Sequence, residues 1–102
     1  MLIITGIIKA ESESEIAKVK VALQKRAAQS RDDAGNIDYA FSINLEDPCE
    51  IRLTEKWESE ALLQAHLEVP DESFSAAMAS AKIVSAKVIS NEAGTEKVLL
   101  DR

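Results

Sequence analysis

A single cysteine, Cys49, leaves no partner for a disulfide within the chain. The one histidine, His66, stands far from it in sequence. Neither HxxxH nor CxxC occurs, so no spacing suggests a metal site and none is expected. The three glycines are isolated, which excludes the GxGxxG and GxxxxGK[ST] phosphate loops, and no GxSxG elbow is present. No nucleotide cofactor is written into the chain. Basic residues are in the minority: 12 Lys and Arg against 18 Asp and Glu give a net charge of −6. A surface of that sign repels phosphate backbones, so nucleic acid is not an expected partner. No apolar run can span a bilayer, and the opening MLIITGIIK has neither a basic leader nor a small-residue cleavage site. It reads as a strand, and the protein reads as cytoplasmic with no membrane partner.

What is present suits a globular fold. Apolar residues make up 46% of 102 positions, enough for one core and one domain over residues 1–102. Leu2 to Ile8 is rich in β-branched residues and apolar on both faces, with Leu2 and Ile4 on one, Ile3 and Ile7 on the other. A sheet with helices on one face alone gives clean alternation. A second copy of the chain is therefore the expected cover for the other face. Ser12 to about Arg31 reads as a helix, opened by a capping box of Ser12 and Glu15 and striped by Ile16, Val19, Leu23 and Ala27. Gly35 follows as a helix-end signal. Ile37 to Leu45 alternates as a strand, Glu46-Asp47-Pro48 reads as a turn, and Cys49 to Trp57 runs back as its partner. Ser59 to Glu68 is helical, and Pro70-Asp71 opens a second short helix carrying Phe74, Ala77, Met78 and Ala81. Lys82 to Ser90 is a strand, and Lys97 to Leu100 is expected as a short terminal one. The order β-α-β-β-α-β, its second helix broken at Pro70, is the ferredoxin-like split βαβ. This α+β arrangement has an antiparallel sheet with its helices on one face.

The stretch Ile51 to Phe74 carries the candidate chemistry. Ile51, Leu53, Glu55 and Trp57 share one strand face, which puts a carboxylate and the only indole together. Ser59 can cap the next helix, where Leu62 and His66 lie one turn apart. His66 is either a polar surface residue or, with an ordinary pKa of about 6.5, the natural proton acceptor. Trp57 is core or the wall of an aromatic pocket. Glu55 is a partner for a Lys or Arg, or else a catalytic carboxylate. Tyr39 and Phe41 are core or pocket wall, and the Tyr39 hydroxyl can supply one hydrogen bond.

The chain resembles a known family at Gly35-Asn36-Ile37-Asp38-Tyr39, Asp47-Pro48, Leu53-Thr54-Glu55-Lys56-Trp57, Ala65-His66-Leu67 and Phe74. These are features of the antibiotic biosynthesis monooxygenase domain family, in the dimeric α+β barrel group. The resemblance implies a homodimer with sheets packed face to face and a pocket between sheet and helices. It also implies oxidation of quinol- or anthrone-type aromatics by O2 without a cofactor. Carried over, Trp57 and Phe74 line the pocket, and His66 and Tyr39 touch polar groups of the small aromatic ligand; Phe41, Leu62 and Met78 are further expected substrate-binding residues. His66 is the catalytic proton acceptor, and Glu55 is the family's strand carboxylate. A haem-degrading branch has a histidine where Met78 stands and an Asn on the first strand, which Leu2 to Ile8 lacks, so haem breakdown is not implied. Two other activities use the same scaffold. One is a non-catalytic dimeric ligand-binding module. The other is a muconolactone-type isomerase in which His66 or Glu55 moves a proton without O2.

Overall fold

The alternation of the first strand decides the layering. Leu2, Ile4, Ile8 and Ala10 turn one way and are buried, while Thr5 and Ile7 turn the other and are exposed. The computed structural model describes residues 1–102. It contains β1 (Leu2–Ala10), α1 (Glu13–Arg31), β2 (Asn36–Asn44), β3 (Asp47–Trp57), α2 (Glu60–Glu68), α3 (Glu72–Ser80) and β4 (Ile83–Glu92). The four strands form one antiparallel sheet in the order β2-β3-β1-β4. This is the ferredoxin-like α+β fold expected from the sequence.

Register places the chemistry. Ile4 faces Glu55, Leu2 faces Trp57 and Tyr39 faces Glu55, so one row across the sheet reads Tyr39, Glu55, Ile4 and Ser90. The helices cover this face. Ile16, Val19, Leu23 and Ala27 are buried beneath α1 as their spacing predicts. Two adjoining apolar clusters result. One holds Leu2, Ile4, Tyr39, Leu53, Trp57 and Leu63, and the other is built on Ile8, Val19, Leu23 and Ile51. On the opposite face stand Ile3, Thr5 and Ile7 of β1, Thr54 of β3 and Ile89 of β4, in register with one another.

Some local expectations are corrected. Ser12 is the N-cap of α1, but its hydroxyl bonds the Ser14 hydroxyl at 2.8 Å and caps no backbone amide. Glu15 takes Lys18 instead, with Nζ donating at 2.9 Å. The capping box is therefore not formed, because both its members find nearer side-chain partners. The hairpin turn is tighter than expected: Asp47 and Pro48 already belong to β3. The turn is held by Asn44 Oδ1, which accepts from Glu46 N–H, and Asp47 Oδ1, which accepts from Cys49 N–H. Pro48 sits where the ladder shifts register, between the Ile43–Ile51 and Asn44–Asp47 pairs, so its missing donor is tolerated. Lys97 to Leu100 is not a strand. Ala93 N–H bonds the Met1 carbonyl at 2.9 Å, where the β1–β4 ladder closes, and the tail beyond pairs with no strand. Val98, Leu99 and Leu100 remain exposed.

Gly35, after α1, has φ +82°, and a Cβ there would lie 2.3 Å from Leu62 Cδ1. Its carbonyl accepts from Glu58 N–H at 2.8 Å, locking the loop to the strand–helix corner. Val69, before Pro70, is extended as a pre-proline residue must be, and it separates α2 from α3. Ser59 and Asp71 cap those helices, accepting from Leu62 N–H and Phe74 N–H. No helix is long and apolar enough to cross a membrane.

Candidate active site

The last turn of β3 brings the indole and the carboxylate into contact. Trp57 is fully buried, and its Nε1–H donates to Glu55 Oε1 at 2.8 Å. Within the chain no Lys or Arg forms an ion pair with Glu55, and the indole hydrogen bond occupies it instead. Burial pushes the Glu55 carboxyl above its ordinary range, against the opposing pull of the Trp57 hydrogen bond, His66 and Arg26.

His66 enters from α2. It shares the inward face with Leu63, three positions earlier, rather than with Leu62. Leu62 packs over Gly35, away from the aromatic group. The His66 ring lies 4.6 Å from the Trp57 ring and 5.8 Å from that of Tyr39. Its Nδ1 is 2.6 Å from Asp33 Oδ2, and its Nε2 is 3.1 Å from an Arg26 terminal nitrogen. A carboxylate only accepts and a guanidinium only donates, so Nδ1 carries the proton and Nε2 offers its lone pair. This pairing orients the His66 ring and leaves Nε2 as the acceptor that general-base chemistry needs.

Arg26 ties the helices together. It lies on α1, reaches Asp71 at the start of α3 at 3.4 Å, and stacks 5.3 Å above the Phe74 ring. Its Nε is buried and meets no acceptor. Tyr39 is buried beside it. Burial raises its phenol above the ordinary value, reinforced by Glu55 and opposed by hydrogen bonding to Arg26 and Ser30. Phe41 touches the Tyr39 ring edge-on at 5.7 Å and lies 6.4 Å from Phe74. Met78 packs farther along, against the second apolar cluster. The structure therefore gathers Trp57, Glu55, His66, Tyr39, Phe41 and Phe74 into one group, with Met78 at its margin and Leu62 outside it.

Arg26, Asp33 and Asp71 complete the group without having been singled out in the sequence. Arg26 had a usable signal, standing seven positions after Val19 and three after Leu23 on the buried face of α1. The two aspartates had none beyond their turn and cap positions.

Two cavities flank the group. A groove of about 550 Å³ runs between α1 and the sheet, with Ile16, Leu23, Ala27, Phe41, Ile43 and Ile51 in its lining. A polar cleft of about 480 Å³ opens on the other side, at Arg26, Ser30, Asp33, His66 and Asp71. No three His, Cys, Asp or Glu side chains converge as a metal site would require.

The sequence model of one family, antibiotic biosynthesis monooxygenase, matches residues 1–80. The chain belongs to that family. The match takes in every residue of the group just described, from Arg26 to Met78. Solved structures share the fold. A Deinococcus radiodurans protein provisionally assigned as an antibiotic biosynthesis monooxygenase has a TM-score of 0.87 and 24% identity, covering 99% of this chain and 100% of its own. One of the same provisional description from Nitrosomonas europaea gives 0.77 at 18% identity, covering 91% and 98%. A Pseudomonas aeruginosa protein gives 0.74 at 21%, covering 92% and 94%. No curated protein matches the chain.

Proposed function

We propose that this family member is a monooxygenase acting on a small electron-rich aromatic of the quinol or anthrone type, with O2 as oxidant and no cofactor. The observation that carries the reading is the setting of His66. It is a buried imidazole, paired through Nδ1 with Asp33 and in contact with the rings of Trp57 and Tyr39. Removal of a proton from the substrate by Nε2 leaves an anion able to give one electron to O2. The substrate radical and superoxide then join through a new C–O bond. The resulting peroxide takes back the proton from His66. Loss of the remaining C–H proton with cleavage of the O–O bond leaves a carbonyl and releases water. For an anthrone-type CH2 the sum is CH2 + O2 → C=O + H2O.

The surroundings support such chemistry. The Trp57 and Tyr39 rings shield one side of His66, and Asp33 and Arg26 hold the base in place. His66 and Arg26 line the polar cleft where the substrate's reacting group would sit, and Phe41 joins the His66 group to the neighbouring half-apolar groove. The helix-free face, with Ile3, Ile7 and Ile89, supports assembly as a homodimer. A second reading, proton-moving isomerisation without O2, draws support from Glu55. Its raised carboxyl could serve as a second acid.

Oxygen uptake and absorbance spectra on metal-stripped protein, against naphthoquinols, benzoquinols and anthrones, separate the readings. Uptake above autoxidation is expected, falling at least about 100-fold in His66→Ala. Equal rates with and without protein across the panel would overturn the proposal. Anaerobic turnover of an unsaturated lactone would favour the isomerase.

A further inference from the structure

We infer that Arg26 receives the oxyanion that His66 creates, which makes an ionisable aromatic hydroxyl the group this site selects. The inference rests on the reading of His66 as the base. A guanidinium carries five N–H donors. Here one goes to His66 Nε2 at 3.1 Å, one makes a long 3.4 Å contact with Asp71 and one is shared with the Tyr39 hydroxyl, while the buried Nε–H has no acceptor. A half-buried cation whose Nε–H lacks an acceptor, beside an oriented base, has capacity for one more anionic oxygen.

Charge balance sharpens the point. The ionisable groups facing His66 are Asp33 from the α1–β2 loop, Arg26 from α1, and Tyr39 and Glu55 from the sheet, with Asp71 behind Arg26. In the resting site Nε2 accepts from Arg26. When it takes the substrate proton (ArO–H + His66 → ArO⁻ + His66–H⁺), it can no longer accept. Arg26 loses that bond and faces a second cation at the same distance. The oxyanion formed in the same step is the group that satisfies both. Its ring can lie beside Phe74, over which the guanidinium already stacks. The outer cleft presents Asp33, Asp71 and Glu72. That wall repels an anion arriving from solvent, so the substrate enters as the neutral hydroxyl compound and ionises inside.

The test uses 4-nitrophenol, whose absorbance reports its ionisation, and its methyl ether 4-nitroanisole, which cannot ionise. With the wild-type protein, the apparent pKa of bound nitrophenol is expected to fall by at least about one unit, a tenfold preference for the anion. Nitroanisole is expected to bind at least tenfold more weakly at the pH where the phenol binds best. Arg26→Gln should abolish the shift and weaken nitrophenol binding more than nitroanisole binding, and Arg26→Lys should keep part of the shift. An unshifted or raised bound pKa, equal affinity for the two probes, or no saturable binding of nitrophenol each overturns the inference. The wild-type comparison stands even where Arg26→Gln does not fold. The oxygenase reading fails separately: a shifted nitrophenol pKa without oxygen uptake upholds Arg26 as the anion residue and removes the oxygen chemistry.

Discussion

At the scale of single residues, three carboxylates respond to pH in opposite senses. Glu55 has its pKa raised by burial above the ordinary 4.5. Between that value and its raised one, the folded chain holds a proton that the unfolded chain has released, so its contribution to stability falls as pH rises through the window. Glu55→Gln keeps an acceptor for the Trp57 indole and removes this dependence. Urea unfolding from pH 4 to pH 8 should show the variant gaining on wild type as pH increases. Glu50 and Glu15 behave in reverse. Hydrogen bonds from Asn44 and then Arg52 lower Glu50, and one from Lys18 lowers Glu15. Their stabilisation is present above about 4.5 and is lost as pH falls through the lowered values. Glu50→Gln should therefore cost stability at neutral pH and nothing at the acid end. Gly35→Ala meets both a positive φ and the Leu62 side chain. A loss on the order of 2 kcal/mol is expected in the same unfolding assay.

At the scale of elements, caps that look alike in sequence separate in structure. Ser59→Ala removes a real cap and should cost about 1 kcal/mol, whereas Ser12→Ala removes only a bond to Ser14 and should stay within about 0.5 kcal/mol. Asp71→Asn keeps an acceptor for Phe74 N–H but loses the charge on Arg26, and Asp71→Ala loses both, so the second should destabilise more. Periodicity was enough to read the strands, the buried stripe of α1 and the break at Pro70, because those depend on residues two to four positions apart. It could not see Asp33 or Arg26 on His66, contacts that join residues 33 and 40 positions apart. Nor could it tell that Ser12 would bond a neighbouring hydroxyl, or that Lys97 to Leu100 would find no strand to pair with. The aromatic residues were legible because each sits on a strand or helix face that pattern alone assigns. Leu62 was not, since Leu63 rather than Leu62 turns inward with His66 once the helix is laid on the sheet.

At the scale of the whole molecule, the two faces of the sheet have different fates. One is sealed by three helices, and the other offers Ile3, Ile7 and Ile89 amid threonines and lysine. If that face joins two copies, sedimentation equilibrium should give twice the chain mass. Ile7→Glu, placing a charge in the middle of the face, should weaken association at least about tenfold while leaving the helical face untouched. A net charge of −6 on each copy adds repulsion, so moderate salt should tighten the assembly. The molecule also carries its own optical gauge. Its only tryptophan is sealed from water and lies against His66. Intrinsic emission therefore comes wholly from the site. It should be blue-shifted in the folded protein and dim when the imidazole takes a proton. It should change again as an aromatic guest enters, so occupancy and protonation can be followed by fluorescence without any label.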